Sequence, residues 1–325
     1  MIDGHGRNID YLRISVTDRC NLRCRYCMPP EGVEWLEHSE MLTYEEILRL
    51  CRLFASLGIR RVRLTGGEPL ARRDLDRLVR GIRDIPGIES ISLTTNGLLL
   101  SQQLPVLLDA GLTAINLSLD TLDRDQYADI VRRDAFDDAI AGLRAALAVP
   151  GLRVKLNCVL LGENDDQLVP LAALARDRDL AVRFIEMMPI GLGASRPLRS
   201  EDQVRAMLEA AFGPLTPCHG VYGAGPSHYL KPQGFQGHIG FISAMTHQFC
   251  DQCNRVRLTA TGFLKTCLQY ETGADLRCLL RGGADDEAIL EAIRLALKHK
   301  PARHHFNDMG HQGSDETHNM HQIGG

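Results

Sequence analysis

The chain has 325 residues, 44% of them hydrophobic and 24% charged, which is room for one large α/β domain or two ordinary ones and excludes disorder for its bulk. Lysine plus arginine (37) against aspartate plus glutamate (41) gives a net charge of −4, so no global positive field exists for nucleic acid or an anionic membrane, and any bound anion must be met by local arginines. The first ten residues lack an apolar signal core and no stretch approaches the roughly 18 apolar residues of a membrane span, so the expectation is a soluble cytoplasmic protein.

Short β-branched and apolar runs alternate with helix-period segments through the first two-thirds, the pattern of repeated βα units around a parallel sheet. A first strand is expected over 11–16, and Cys20, Cys24 and Cys27 follow it. A helix opens at Thr43, where Thr43-Tyr44-Glu45-Glu46 reads as a capping box; Ile47, Leu50, Cys51 and Phe54 share one face before Gly58 stops it. Strand 61–65 leads into Gly66-Gly67-Glu68-Pro69 and a helix over 74–85. Strand 90–95 ends in Thr94-Thr95-Asn96-Gly97, followed by a helix over 102–110. Strand 114–119 carries Asn116 and Ser118 ahead of Asp120, with a helix over 135–148. Strand 154–160 carries Lys155 and Asn157, a helix spans 166–177, and strand 181–185 carries Arg183 and runs into Glu186-Met187-Met188.

Six such units are two short of a closed eight-stranded barrel, so the expected fold is α/β, an open, partial (β/α)6 barrel whose groove needs a cover. A Gly/Pro-rich stretch over 218–240 marks a change of organisation. The expected domains are the partial barrel over 1–215 and a C-terminal domain over 216–325 that covers the groove and carries the second cysteine group. The final stretch, 298–325, holds six of the twelve histidines and ends in Gly324-Gly325. By itself it reads as a solvated tail.

Ten cysteines are too unevenly placed for a disulfide scaffold. Six form two triplets: Cys20-x3-Cys24-x2-Cys27 and Cys250-x2-Cys253-x13-Cys267. Cys51, Cys158, Cys218 and Cys278 read as small core residues. Three thiolates at such spacing repel one another unless a metal neutralises them, so each triplet implies a metal. Three cysteines leave structural zinc one ligand short and suit an iron–sulfur cluster with an open iron that can chelate a small molecule. At the second triplet zinc stays open, because His247 would complete a closed site with Cys250, Cys253 and Cys267. In parallel barrels the chemistry sits at the carboxyl ends of the strands, where the first triplet, the 66–69 turn and Asn96 all fall. Arg13, Arg63 and Arg183 within strands, with Arg255 and Arg257 after the second triplet, favour a bound polyphosphate.

With Tyr26 just before Cys27, the first triplet resembles the signature of the radical S-adenosylmethionine enzymes, and Gly66-Gly67-Glu68-Pro69 resembles their methionine-binding segment. The second triplet, Asn254-Arg255-Val256-Arg257 and the terminal Gly324-Gly325 extend the resemblance, over 11–325, to the GTP 3′,8-cyclase family of molybdenum-cofactor biosynthesis. The resemblance implies a [4Fe-4S] cluster on Cys20, Cys24 and Cys27 whose open iron binds S-adenosylmethionine. It implies contacts to that cofactor from Tyr26, Gly67, Ser118 and Met188, helped by Glu68 and Asn96. A second [4Fe-4S] cluster on Cys250, Cys253 and Cys267 would face the guanine of GTP. Arg13, Arg63, Thr94, Lys155, Arg255 and Arg257 match GTP-contacting positions, Val256 would offer backbone between the last two, and Arg183 is a further candidate. Gly324 and Gly325 would reach into the active site, which sets this implication against the solvated-tail reading.

In the implied reaction, one electron from the first cluster splits S-adenosylmethionine into methionine and a 5′-deoxyadenosyl radical. Hydrogen abstraction at ribose carbon 3′ then lets that carbon attack carbon 8 of guanine, giving 3′,8-cyclo-7,8-dihydro-GTP. The implied partners are GTP, an electron donor and the downstream enzyme that forms cyclic pyranopterin monophosphate; a homodimer is left open. Two other readings stand beside it. One is a radical S-adenosylmethionine enzyme with an auxiliary cluster that modifies a peptide, and the other a zinc-binding interaction protein, which leaves the 66–69 turn beside the cysteines unexplained.

Overall fold

Strands β1 (Tyr11–Ser15), β2 (Arg61–Thr65), β3 (Ser90–Thr95), β4 (Ala114–Ser118), β5 (Arg153–Val159) and β6 (Leu180–Ile185) lie side by side in chain order, every pair parallel. They belong to a computed structural model that describes residues 1–195, 198–218, 223, 225–306, 316 and 318–324. Alternation along each strand decides what the sheet encloses. Leu12 and Ile14, Val62 and Leu64, Ile115 and Leu117, and Val182 and Phe184 enter one apolar core with the helices. The residues between them are polar: Arg13, Arg63, Asn116 and Arg183. A barrel interior is usually filled by branched apolar side chains, so this one is built to hold something else.

The connecting helices are α1 (Tyr44–Ser56), α2 (Leu75–Arg83), α3 (Leu100–Ala110), α4 (Arg124–Val131), α5 (Phe136–Leu147) and α6 (Asp165–Ala173). The capping box of α1 forms as expected: the Glu46 amide donates to Thr43 Oγ1 at 3.2 Å and the Thr43 amide to Glu46 Oε2 at 2.7 Å. Helix α4 is not expected from the sequence. Its buried apolar residues are Tyr127, Ile130 and Val131, too few to show a period, and its start is fixed by Asp123, which accepts from the Gln126 amide.

The chain beyond β6 adds α7 (Glu201–Phe212), then strands to both edges of the same sheet. Strands β7 (Leu215–Pro217), β8 (His228–Pro232) and β9 (His238–Ile242) extend one edge, with β9 parallel to β6. Strands β10 (Arg255–Leu258), β11 (Phe263–Lys265) and β12 (Gly273–Asp275) extend the other, with β10 parallel to β1. The parallel run is therefore longer than six, and it stays open because β9 turns to pair with β8 and β10 with β11. The Gly/Pro-rich stretch over 218–240 contains β8 and begins β9. Helices α8 (Leu276–Arg281) and α9 (Asp286–Lys298) follow, tied to α1 by Arg281 on Glu46 and Arg49 on Asp286, and a last turn, α10 (Met320–Ile323), ends the described chain.

Cys51 and Cys158 are buried as expected. Cys218 is half-buried and Cys278 exposed, so the core assignment fails for these two: one leaves an edge strand, the other sits on the short α8. Among the described residues no helix is long and apolar enough to cross a membrane.

Candidate active site

The polar faces of the strands surround a cavity of about 2040 Å³ of empty space, its open mouth included, and both cysteine triplets line it. Register supplies the order of the wall. Arg13 stands between Arg257 and Arg63 on three adjacent parallel strands, Thr94 is beside Asn116, and Asn157 is beside Arg183.

The loop after β1 carries the first triplet in a tight turn, with the Cys27 and Met28 amides donating to the Cys24 carbonyl at 2.9 and 3.0 Å. Gly67 explains why the neighbouring turn is glycine-rich: a Cβ there would sit 2.4 Å from the Arg19 carbonyl oxygen. Glu68 accepts from the Thr95 hydroxyl at 2.8 Å, the Asn96 amide at 2.8 Å and the Leu70 amide at 3.0 Å, and burial lifts its carboxyl to about 7. It braces the turns after β2 and β3. Asn96 donates from Nδ2 to Asn21 Oδ1 at 2.7 Å, within the first cysteine loop. Tyr26 donates its hydroxyl to Asp120 Oδ2 at 2.8 Å, while the Val159 amide holds Oδ1 at 2.8 Å. Burial raises Asp120 to about 6. Asp120 is missing from the sequence-derived site, although its place two residues past Ser118 at a strand end is a usable signal.

Burial pushes the Cys20 thiol up to about 11 and Cys27 to about 12, with Cys24 also raised by burial, Cys27 and Asp120. Three such thiols do not ionise there together unless a cation accepts them, and none is in a disulfide. The donor set fits an iron–sulfur cluster with one iron left to a small chelating ligand.

The second triplet has different surroundings. Burial works to raise Cys253, but Arg255 and Lys300 outweigh it and bring the thiol down to about 7. Arg7 was not anticipated: Nη1 donates to the carbonyls of Cys250 at 2.9 Å and Ala302 at 2.7 Å, Nη2 to Pro301 at 2.6 Å, and Nε pairs with Asp3 at 2.6 Å. Nothing local in the sequence links residue 7 to residue 250. His247 does not line the cavity; its Nδ1 lies 3.0 Å from Thr246 Oγ1 and 3.5 Å from Glu201 Oε2. It is therefore turned to Glu201 and lies outside the cavity that the three cysteines line.

Positive charge is concentrated at the wall. Burial lowers Arg13, with Arg257 and Arg63 adding repulsion; burial also lowers Arg63, and burial with Arg255 takes Arg257 to about 10. Lys155 is brought to about 6 by burial and then by Arg183, Arg63 and Arg153. Arg183, 1% exposed, donates to Asn157 Oδ1 at 2.9 Å and Asn116 Oδ1 at 2.7 Å.

Of the expected site residues, Arg13, Arg63, Thr94, Arg183, Arg255 and Arg257 line the cavity with Tyr26, Gly67, Glu68, Asn96, Ser118, Met188 and the six cysteines. Val256 does not; its side chain points into the apolar core, as alternation between Arg255 and Arg257 requires. Lys155 lies outside this lining, covered by Gly223. Gly324 is buried behind the lining, its carbonyl accepting from Arg257 Nη1 at 2.5 Å, and Gly325 lies outside the described residues.

Residues 14–175 match the Radical SAM superfamily and residues 180–306 match Molybdenum Cofactor Synthesis C. The fold is similar to that of Streptococcus suis SuiB crystallised with S-adenosylmethionine, with a TM-score of 0.60 and 15% identity over 88% of this chain and 68% of that one. Fold and sequence match together define a radical S-adenosylmethionine enzyme, a class that works with S-adenosylmethionine and an iron–sulfur cluster. A GTP 3′,8-cyclase of Pelotomaculum thermopropionicum is 46% identical and one of Syntrophomonas wolfei 44%, each over 330 aligned positions that cover both chains completely. The chain belongs to the GTP 3′,8-cyclase family. This removes the zinc-binding interaction protein and the peptide-modifying enzyme as readings of the whole chain.

Proposed function

We propose that the chain converts GTP to 3′,8-cyclo-7,8-dihydro-GTP, the first step of molybdenum-cofactor biosynthesis, in the cavity between its two cysteine triplets. The observation that carries this is the row Arg63, Arg13 and Arg257 on adjacent strands, with Arg255 on the same wall. A triphosphate brings about four negative charges and relieves the mutual repulsion that depresses these groups.

In this reading Cys20, Cys24 and Cys27 hold the first cluster, and Tyr26, Gly67, Ser118 and Met188 contact S-adenosylmethionine beside Glu68 and Asn96. When bound, the reduced cluster and S-adenosylmethionine supply a 5′-deoxyadenosyl radical. Such a radical attacks most nearby C–H bonds, so the chain's work is positioning and exclusion. Arg13, Arg63, Arg255, Arg257, Lys155 and Arg183 fix the triphosphate, and through it the ribose. Leu22, Met28, Ile185 and Ile242 give the cavity apolar walls that keep water from the reacting atoms. Asp120 holds the Tyr26 ring in place.

Cys250, Cys253 and Cys267 hold a second [4Fe-4S] cluster whose open iron meets the guanine. The turn of His247 toward Glu201, outside the cavity lining, favours it over closed zinc, and the nearby Arg7, Arg255 and Lys300 suit an anionic cluster. The barrel over 1–215 then serves the first cofactor, and the part over 216–325 serves the second cluster and the base. A cytoplasmic electron donor and the enzyme that forms cyclic pyranopterin monophosphate complete the set of partners.

The test is an anaerobic reaction of iron- and sulfide-reconstituted protein with dithionite and S-adenosylmethionine, with and without GTP, read by mass spectrometry. GTP-dependent 5′-deoxyadenosine with a cyclised nucleotide is the expected result. Deoxyadenosine that ignores GTP, with no new nucleotide, would overturn the substrate assignment.

A further inference from the structure

Tyr11 opens β1, is 2% exposed and lines the cavity. Alternation puts it on the same polar face as Arg13, two residues and about 6.6 Å of strand rise away. Its register partners are Arg255 on β10 and Arg61 on β2, two residues before the row of Arg257, Arg13 and Arg63. The Arg63 guanidinium lies over its ring, 5.3 Å from the centroid, where a cation meets the negative π face.

The ring is thus accounted for, and phenylalanine would serve there as well. The hydroxyl is not. It is buried and has no hydrogen-bond partner among the described residues. A buried polar group without a partner costs free energy, so such groups are few in native folds and each calls for a reason. The reason lies in the surroundings. Arg255, Arg61 and Arg63 can only donate, so none of them accepts the phenolic proton. The neighbouring Asp10 carboxylate is occupied, taking Arg61 at 2.9 Å on one oxygen and Asn254 at 2.8 Å on the other. The acceptor has to arrive with the ligand, and a ligand drawn to this many guanidiniums is an anion. An extended polyphosphate is long enough to meet Arg13 and Tyr11 together.

We propose that Tyr11 is a further substrate-binding residue, its hydroxyl donating to a phosphate oxygen of the nucleoside triphosphate that Arg13, Arg63, Arg255 and Arg257 hold. The proposal rests on the reading of this cavity as the GTP site. It also explains why a neutral donor stands here: another cation would add to the repulsion that already acts between Arg13, Arg257 and Arg63.

The test uses the reconstituted full-length protein, kept anaerobic and without reductant, and its Tyr11→Phe variant, which keeps the ring and removes only the oxygen. GTP binding is measured by calorimetry, and inorganic triphosphate by its displacement of GTP. Tyr11→Phe is expected to weaken both by a similar factor, roughly tenfold to a hundredfold, the scale of one hydrogen bond to a charged group. The melting temperature of the ligand-free variant is expected to match or exceed the parent's, because no bond inside the fold is lost, while the rise produced by a fixed concentration of GTP shrinks. Unchanged GTP affinity in the variant would overturn the proposal. So would a ligand-free variant that melts lower than the parent, since the hydroxyl would then have a partner within the protein. A loss confined to GTP, with inorganic triphosphate unaffected, would move the hydroxyl from the phosphates to the nucleoside and overturn it as well. Inorganic triphosphate that fails to displace GTP from the parent would overturn the reading of the arginine wall itself, and the proposal with it.

Discussion

Lys155 shows what burial among like charges does to a single group. Its ammonium is lowered from an ordinary 10.5 to about 6, by burial first and then by Arg183, Arg63 and Arg153. The unfolded chain keeps this proton up to about 10.5, so between pH 6 and 10.5 the folded chain binds fewer protons and stability rises with pH. Below about 6 the penalty is complete. A triphosphate at this wall reverses the shift and returns the proton. GTP binding at pH 8 is therefore expected to take up about one proton, measurable by calorimetry in buffers of different ionisation enthalpy. Binding without uptake would remove Lys155 from the triphosphate contacts. The two cysteine triplets and the arginines beside them or within strands are legible in the sequence because their spacing and placement are conspicuous. Arg7 and Lys300 are not, because each acquires its role from a partner that only the fold brings near.

The six strands of the barrel are readable because short β-branched and apolar runs alternate with helix-period segments. The flanking strands β9 and β10 were not assigned, since their pairing with β6 and β1 leaves no local pattern. The turn after β2 is the element most sensitive to change. In Gly67→Ala the new methyl falls against the carbonyls of Asp18 and Arg19, and the first cysteine loop must move. The expected result is S-adenosylmethionine binding weaker by roughly 1–3 kcal/mol, with the circular dichroism spectrum unchanged. Unaltered affinity in a titration would mean that the loop yields without disturbing the cofactor site.

Across the whole molecule, strands β1 to β6, their neighbours β9 and β10, and the C-terminal turn meet at one cavity. Deleting Gly324 and Gly325 removes the carbonyl that Arg257 holds and leaves every cysteine in place. Iron and sulfide content is expected to stay at the parent level while the cyclised product is lost, as assayed by metal analysis and mass spectrometry. Normal turnover by the shortened chain would return the end of the tail to a bystander's part.

The pairing of β1 with β10 also has a meaning in time. Strand β1 leaves the ribosome well before its partner, and the strand that finishes its outer edge follows about 240 residues later. At about 5–20 residues per second that is a wait of roughly 10–50 s, during which the outer edge of β1 is open to the wrong neighbour. Over the same interval the loop bearing Cys20, Cys24 and Cys27 is already made, while Cys250, Cys253, Arg255 and Arg257 are still unborn. Completion of this sheet thus has a built-in sequence: the loop of the first cysteine triplet stands on a half-grown sheet, and the second triplet arrives only with the strand that completes it.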